Sequence, residues 1–194
     1  MMPTPTPSPF TISHISPEDV PFMREMLYQS IFVHPPPPRT IIDEPEFKHY
    51  VAGWGKPDDA GWIAKDAQAN PIGAGWLRLL RHDDPGYGFV DDATPEVCTL
   101  AVVPEWRGKG VGTALMTALL IHVDAHYSQV ALSCNPQNQA MRLYGRLGFV
   151  YHGISGTSHT LVRTNLHRRT TETIARTKAQ ANGDERQGNN NEAP

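Results

Sequence analysis

A turn rich in glycine and basic residues is the part of this sequence best suited to chemistry. Residues 107–113 read Arg-Gly-Lys-Gly-Val-Gly-Thr. Glycine carries no Cβ atom, so a backbone with several glycines can expose successive N–H groups and let a phosphate approach closely. The glycines are Gly108, Gly110 and Gly112, and the two cations beside them are Arg107 and Lys109. We therefore expect this turn to bind a pyrophosphate group.

The segments on either side of the turn predict a strand before it and a helix after it. Residues 97–103 form a run rich in β-branched and apolar residues that stops at Pro104. Beyond the turn, apolar side chains recur at helical spacing at Val111, Leu115 and Leu119. A helix that begins here adds its unpaired first-turn N–H groups and the positive end of its dipole to the anion site.

Two well-known nucleotide-binding motifs do not fit the turn. A dinucleotide-binding fingerprint needs a glycine at its sixth position, and counting from Gly108 that position holds Thr113. A P-loop needs Gly-Lys followed by Ser or Thr, whereas Gly110 follows Lys109 here. These two failures weaken the interpretation as a phosphate-binding protein for some other nucleotide, which stays a third alternative.

The turn does resemble the pyrophosphate loop of the GNAT superfamily of N-acetyltransferases. In that loop Arg or Gln is followed by two residues, Gly, one residue, and Gly or Ala, which Arg107, Gly110 and Gly112 match in place. The likeness extends to residues 100–106 and 138–149. The resemblance implies acetyl-CoA as co-substrate and a single-domain α/β (α+β) fold. In that fold a mixed, mostly antiparallel sheet with a splayed central strand pair is flanked by helices.

The resemblance also implies which residues hold acetyl-CoA. The backbone at the end of the strand before the turn would pair with the pantetheine arm like an added strand. Asn138, at the head of a later helix, would contact the same arm; its ordinary alternative role is helix capping. The candidates are Val102, Val103, Arg107, Gly108, Lys109, Gly110, Val111, Gly112, Thr113 and Asn138.

Two residues are candidates for catalysis, again through the resemblance. Tyr144 matches a tyrosine that lies by the CoA sulfur and protonates the leaving thiolate, although a tyrosine at this spacing can also belong to the core. Glu96, at the start of the strand, matches a glutamate that deprotonates the amine, often through water. A free glutamate has a pKa of about 4.3 and is a weak base unless burial raises it. The alternative for Glu96 is an exposed glutamate at a strand end after Pro95.

The predicted reaction is direct attack by a primary amine of a small molecule or peptide on acetyl-CoA in a ternary complex. The acceptor candidates Phe32, His34 and Trp54 are aromatic residues that can equally be core. Four acids, Asp83, Asp84, Asp91 and Asp92, precede Glu96 and would attract a cationic amine if their loop overhangs the site. A non-catalytic acyl-CoA-binding sensor is the alternative function. The acceptor, the acyl chain and the oligomeric state, with a homodimer as one option, are left open.

Composition argues against several other partners. The net charge of -3 does not support general binding to nucleic acid or an anionic membrane. No stretch approaches the roughly 18 consecutive apolar residues of a membrane span, and we expect a cytoplasmic protein. Cys98 and Cys134 lack metal or redox spacing and are expected to be buried thiols, so no metal site is predicted.

The chain is expected to divide into three parts. Residues 1–9 alternate Pro with Thr and Ser and predict a disordered leader. Residues 10–167 form the predicted N-acetyltransferase domain, and residues 168–194 a polar, disordered tail. The predicted elements are a strand from Phe10, a helix from Val20, a second short helix around Tyr50, a hairpin of residues 61–65 and 72–80, strands at 96–103 and 128–133, helices at 111–123 and 138–147, and a final hairpin at 149–165.

Overall fold

The computed structural model describes residues 8–165 and Arg168. Most of the predicted leader and tail lies outside those residues. The strands are β1 Phe10–His14, β2 Ala60–Asp66, β3 Pro71–Arg78, β4 Glu96–Val102, β5 Gln129–Cys134, β6 Val150–Ser155 and β7 Ser158–Thr164. The α-helices are α1 Val20–Ser30, α2 Pro45–Lys48, α3 Val111–His126 and α4 Met141–Arg146. None of the described helices is both long and apolar enough to cross a membrane.

The seven strands form one sheet in the order β1-β2-β3-β4-β5-β7-β6. Every neighbouring pair is antiparallel except β4 and β5, which are parallel. A parallel pair needs a long crossover, and α3 supplies it between β4 and β5. The predicted mixed, mostly antiparallel sheet flanked by helices is confirmed.

The two central strands separate soon after they meet. β4 and β5 pair only at Glu96 with Ala131 and at Val97 with Leu132. Both strands continue beyond these pairs, β4 to Val102 and β5 to Cys134. The splayed strand pair is therefore present, and its opening lies toward the glycine-rich turn at the end of β4.

Helices cover both faces of the sheet. On one face the apolar stripe of α3, with Leu115, Leu119 and Val123, is fully buried, as its spacing predicts. On the other face α1 packs against β4, and Met23 and Met26 are fully buried there in a cluster with Trp76 of β3. Because α3 and α1 pack against opposite faces of β4, they fix the position of the turn that follows this strand.

Two helices are shorter than their sequence patterns predict. The second one ends at Lys48, and Tyr50 and Val51 lie buried in the turns that follow. The fourth begins at Met141, because residues 135–138 form a turn in which the Asn138 amide donates to Asn135 O over 2.9 Å. Before α4, side-chain bonds of Asn135 and Asn138 form the turn that replaces the predicted start of the helix.

Candidate active site

The glycine-rich turn is open and its amides point away from the protein's own acceptors. Gly108 and Gly110 have φ angles of 73° and 86°, in the left-handed region that favours glycine. A Cβ atom at either position would meet nothing within 4 Å. The amide of Ala114 is the first in α3 to bond back, to Gly110 O over 3.0 Å. Within residues 8–165, none of the amides from Gly108 to Thr113 donates a hydrogen bond of normal geometry to the protein.

The two cations of the turn have different roles. Arg107 Nε donates to Val102 O over 2.9 Å, and its Nη2 donates to Gln29 Oε1 on α1 over 3.2 Å. The Lys109 ammonium lies 5.1 Å from the centre of the Trp106 ring, a cation–π distance. Arg107 therefore braces the end of β4 against α1, and Lys109 places an exposed charge beside the free amides.

The end of β4 offers free amides at the opening of the sheet. The Val103 amide donates to Ile72 O over 2.9 Å, so this group already serves the pairing with β3. Hydrogen bonds alternate in direction along a strand, so the N–H and C=O of Val102 point away from β3, toward the gap left by β5. The Val102 carbonyl already accepts a hydrogen bond from Arg107 Nε. The Val102 amide, like that of Leu100, remains as a donor that a ligand in the gap can reach.

Tyr144 lies buried on α4 beside the end of β5. Its side chain is nearly inaccessible, and its ring centre lies 5.8 Å from that of Phe149. Burial, with a smaller contribution from the Cys134 thiol, raises the pKa of Tyr144, so the phenol stays protonated at neutral pH. Its hydroxyl makes no hydrogen bond within residues 8–165.

Asn138 organises the turn before α4. Its Oδ1 accepts the amide of Ala140 over 2.9 Å, and Ala140 itself takes the N-cap position of the helix. The side-chain oxygen of Asn138 is thus used within the turn. Its amide nitrogen donates to no protein atom within residues 8–165 and can contact a ligand.

Glu96 is buried, not exposed as one interpretation of the sequence expected. Its residue exposure is 3%. Oε1 accepts hydrogen bonds from the Gly88 amide over 2.8 Å and from the Tyr50 hydroxyl over 3.1 Å. Oε2 is buried and has no partner within the described chain. Burial raises the pKa of Glu96 to about 7, although its two hydrogen bonds act in the opposite direction. The carboxyl is therefore poised to exchange a proton near neutral pH.

A segment of the connection between β3 and β4 covers this carboxyl. We call residues 86–88, Gly-Tyr-Gly, the cover segment. A Cβ atom on Gly88 would lie 2.7 Å from the carbonyl carbon of Leu132, and one on Gly86 would lie 2.2 Å from Glu96 Oε2. Only glycine fits at these two positions. The cover segment thus lies against β5 where β4 and β5 part.

The acidic residues of the same connection are largely held by local partners. Asp84 Oδ1 lies 2.7 Å from Nδ1 of His49, and Asp92 Oδ2 lies 2.9 Å from Nδ1 of His82. Asp91 accepts from the Thr94 hydroxyl over 2.7 Å. These contacts hold the connection in place, so only part of its charge is available to an amine.

The aromatic acceptor candidates divide into core and surface. Trp54 packs on the buried cluster beneath α1, with its ring centre 6.5 Å from that of Trp76. Phe32 is 37% exposed and lies in edge contact with His34, at 5.7 Å between ring centres. Phe32 and His34 are the exposed members of the three, and Trp54 is half-buried.

The sequence interpretation missed three residues that shape the site. Tyr50 falls in the predicted second short helix, and Gly86 and Gly88 fall in the acidic connection before Glu96, and no functional role is predicted for any of them. The signal that was available is the Gly-Tyr-Gly pattern, since two glycines around an aromatic residue allow close backbone approach. Their shared partner, Glu96, however, lies in β4, outside the segments that hold these three residues.

The candidate residues lie along the gap rather than in one cluster. Glu96 and Val102 stand at opposite ends of β4, six residue steps apart, or about 20 Å at a rise of about 3.3 Å per residue. A long arm held at the glycine-rich turn can therefore lie along the strand toward Glu96. Within residues 8–165 no three His, Cys, Asp or Glu residues are grouped to hold a metal ion.

Comparison with known proteins agrees with this architecture. The sequence profile of the acetyltransferase (GNAT) family matches residues 24–149. The mycothiol acetyltransferase of Nocardiopsis dassonvillei is 35% identical over 124 residues, which cover 57% of this chain and 36% of that protein. The chain thus spans little more than a third of that relative's length.

Solved structures share the fold at low sequence identity. The PaiA N-acetyltransferase from Thermoplasma acidophilum, in complex with coenzyme A, has a TM-score of 0.59 at 18% identity and covers 80% of this chain and 98% of its own. The ribosomal-protein-S18-alanine N-acetyltransferase from Escherichia coli has a TM-score of 0.55 at 15% identity, over 79% of this chain and 90% of its own. The family profile covers more than half of the chain, and the chain belongs to the GNAT family of acetyltransferases.

Proposed function

We propose that residues 10–167 transfer an acetyl group from acetyl-CoA to a primary amine of a small molecule or peptide, by direct attack in a ternary complex. The observation that carries this proposal is the row of amides from Gly108 to Thr113 without protein acceptors, placed at the mouth of the gap between β4 and β5. Such a row at a helix N-terminus suits a pyrophosphate. The coenzyme A complex of a fold relative supports the same ligand.

The turn and the strand would bind different parts of acetyl-CoA. The amides from Gly108 to Thr113, with the charge of Lys109, would hold the pyrophosphate, while Arg107 keeps the end of β4 in place. The free Val102 amide would donate to the pantetheine arm, which would pair with β4 like an added strand. The side-chain nitrogen of Asn138 would steady the arm from the other side of the gap.

Proton transfer would use two residues with raised pKa values. As the amine nitrogen attacks the thioester carbonyl, Glu96 would accept a proton from the amine, directly or through a water. As the carbon–sulfur bond breaks, the Tyr144 hydroxyl would give its proton to the departing thiolate. Both side chains are buried. The raised pKa of Glu96 makes it a stronger base, whereas the raised pKa of Tyr144 keeps the phenol protonated but makes it a weaker acid.

The acceptor is proposed as a class and not as one molecule. Relatives are named as acting on ribosomal-protein alanine and on spermidine, both of which offer an amine. In this chain, exposed Phe32 and His34 and the acidic connection before β4 are the residues proposed to contact the acceptor. A cationic or peptide amine fits such a surface better than an anionic one.

Release of free thiol from acetyl-CoA, measured over a panel of polyamines, amino acids and peptide N-termini, tests the proposal. Thiol release that depends on one of these amines is the expected result. Thermal melting with saturating acetyl-CoA is run in parallel, because ligand binding to the folded state raises the melting temperature. Stabilisation without thiol release for any amine would favour an acyl-CoA-binding sensor, and an unchanged melting temperature would refute the acetyl-CoA site.

A further inference from the structure

The hydroxyl of Tyr50 makes two hydrogen bonds whose directions are fixed by chemistry. It accepts from the Tyr87 amide over 2.7 Å, because an amide N–H can only donate. Its own proton is then left for Glu96 Oε1, 3.1 Å away. Tyr50 thus joins the cover segment to the Glu96 carboxyl from a position 46 residues away in the chain.

The hydrogen-bond donors around Glu96 also give its two carboxyl oxygens separate roles. Oε1 accepts from both the Gly88 amide and the Tyr50 hydroxyl, so a proton on Oε1 would face two donors. Oε2 makes no hydrogen bond to any described residue. A proton taken up by Glu96 is therefore accommodated on Oε2.

We propose that Tyr50 is a positioning residue, which reserves Oε1 of Glu96 as an acceptor and so makes Oε2 the atom that takes the proton of the attacking amine. This inference rests on the proposed transfer reaction. In the step, an N–H bond of the amine breaks, an O–H bond forms at Oε2, and the hydroxyl of Tyr50 stays intact throughout. Oε2 is buried against Gly86, where a Cβ atom would overlap it, so the cover segment must shift before the proton can reach this oxygen.

The other ionisable groups near Glu96 are few and are accounted for. Arg78 is opposite Glu96 in the β3–β4 register, but its guanidinium is paired with Asp59 over 2.9 Å. The Cys98 thiol, on β4 itself, interacts electrostatically with Glu96. His49 packs its ring edge against Tyr50 and is held by Asp84. Replacing the Tyr50 hydroxyl changes none of these groups.

The decisive variant is Tyr50→Phe, with Tyr28→Phe as the matched control. Tyr28→Phe loses one hydrogen bond, from the hydroxyl to Pro37 O near the C-terminal end of α1, whereas Tyr50→Phe loses two. Two readouts are measured: the pH profile of kcat/KM with the best amine, and the titration of the Glu96 carboxyl followed by carbon-13 NMR. Loss of a donor that favours the carboxylate should move both acid-side transitions upward by about one pH unit in Tyr50→Phe. Tyr28→Phe should leave both unchanged.

The direction in which the pKa of Glu96 shifts distinguishes a positioning role of Tyr50 from a role in holding the cover segment in place. If Tyr50 only held the cover segment down, its removal would admit water and lower the pKa of Glu96. An unchanged or lowered transition in folded Tyr50→Phe would therefore overturn the inference.

A second variant keeps the tyrosine and changes only the strength of its donor. Incorporation of 3-fluorotyrosine at position 50 makes the phenol a stronger donor and should shift the same transitions downward; no shift would count against the inference. If the unmodified protein released no thiol with any amine, the proposed function would fail first. Activity of the unmodified protein combined with unshifted Glu96 titration in Tyr50→Phe would refute the inference alone.

Discussion

The amide of Gly88 donates to Glu96 Oε1 over 2.8 Å, so the connection before β4 covers the first side chain of that strand. A carboxyl that would otherwise end an exposed strand is thereby enclosed. This enclosure gives Glu96 its raised pKa, and four predictions test it and the rest of the site.

Replacing Gly88 by Ala should destabilise the protein. The added Cβ would lie 2.7 Å and 2.8 Å from backbone atoms of Leu132 and Ser133, which cannot yield without moving β5. We expect a loss of about 1–3 kcal/mol in the free energy of unfolding, measured by urea denaturation. Gly153→Ala is the control, because nothing lies within 4 Å of its Cβ position. Equal stability of the two variants would contradict the packing described.

The stability of the protein should depend on the ionisation of Glu96. Burial raises the pKa of Glu96 from an ordinary value near 4.5 to about 7 in the folded state. The folded state therefore favours the protonated carboxyl. The contribution of the protonated Glu96 carboxyl to the free energy of unfolding is fully present below about pH 4.5 and is lost as the pH rises through 7.

Glu96→Gln removes this titration and should reveal it. Relative to the unmodified protein, the variant should gain up to about 3 kcal/mol in free energy of unfolding between pH 4.5 and pH 8. Urea denaturation of both proteins across that range is the measurement. A difference between them that stays constant with pH would show that Glu96 does not titrate there.

Gly110→Glu should abolish the rise in melting temperature caused by acetyl-CoA. The variant places bulk and a negative charge among the amides that would hold the pyrophosphate. Gly156→Glu is a matched control, since Gly156 also has a positive φ of 58° and open space around its Cβ position. Calorimetry or thermal melting with saturating acetyl-CoA should show binding to the control only. Full stabilisation of Gly110→Glu would remove the turn from the cofactor site.

Tyr144→Phe should lower kcat by about 100-fold, with little change in affinity for acetyl-CoA. The hydroxyl makes no hydrogen bond within residues 8–165, so its loss should cost little stability. Steady-state kinetics and acetyl-CoA titration separate the two effects. Tyr127→Phe, at the end of α3 away from the gap, is the control. Full turnover by Tyr144→Phe would exclude it as the acid.

The local parts of this architecture could be predicted from the sequence. The strand, turn and helix around Arg107 follow from glycine chemistry and from apolar spacing within about twenty residues. The sheet type followed from the family resemblance. Each of these features depends on neighbours in the chain or on a motif, and both are visible without coordinates.

Features that depend on distant contacts could not be predicted. The burial of Glu96 needs Tyr50 and Gly88 to arrive from other segments, and Pro95 gives no sign of this. The occupied amide of Val103 depends on the register with Ile72. The late start of α4 results from a turn at Asn135, where side-chain bonds compete with helix formation.

Proline is the only replacement that removes a main-chain N–H donor, and this affects how the turn tolerates sequence change. The amides from Gly108 to Thr113 remain whatever side chains they carry, provided that the backbone keeps its shape. A saturation mutagenesis scan should therefore find Thr113 permissive, while Gly108 and Gly110 reject nearly every replacement because of their positive φ angles. Positions that tolerate substitution and positions that do not thus lie within a few residues of each other in one loop.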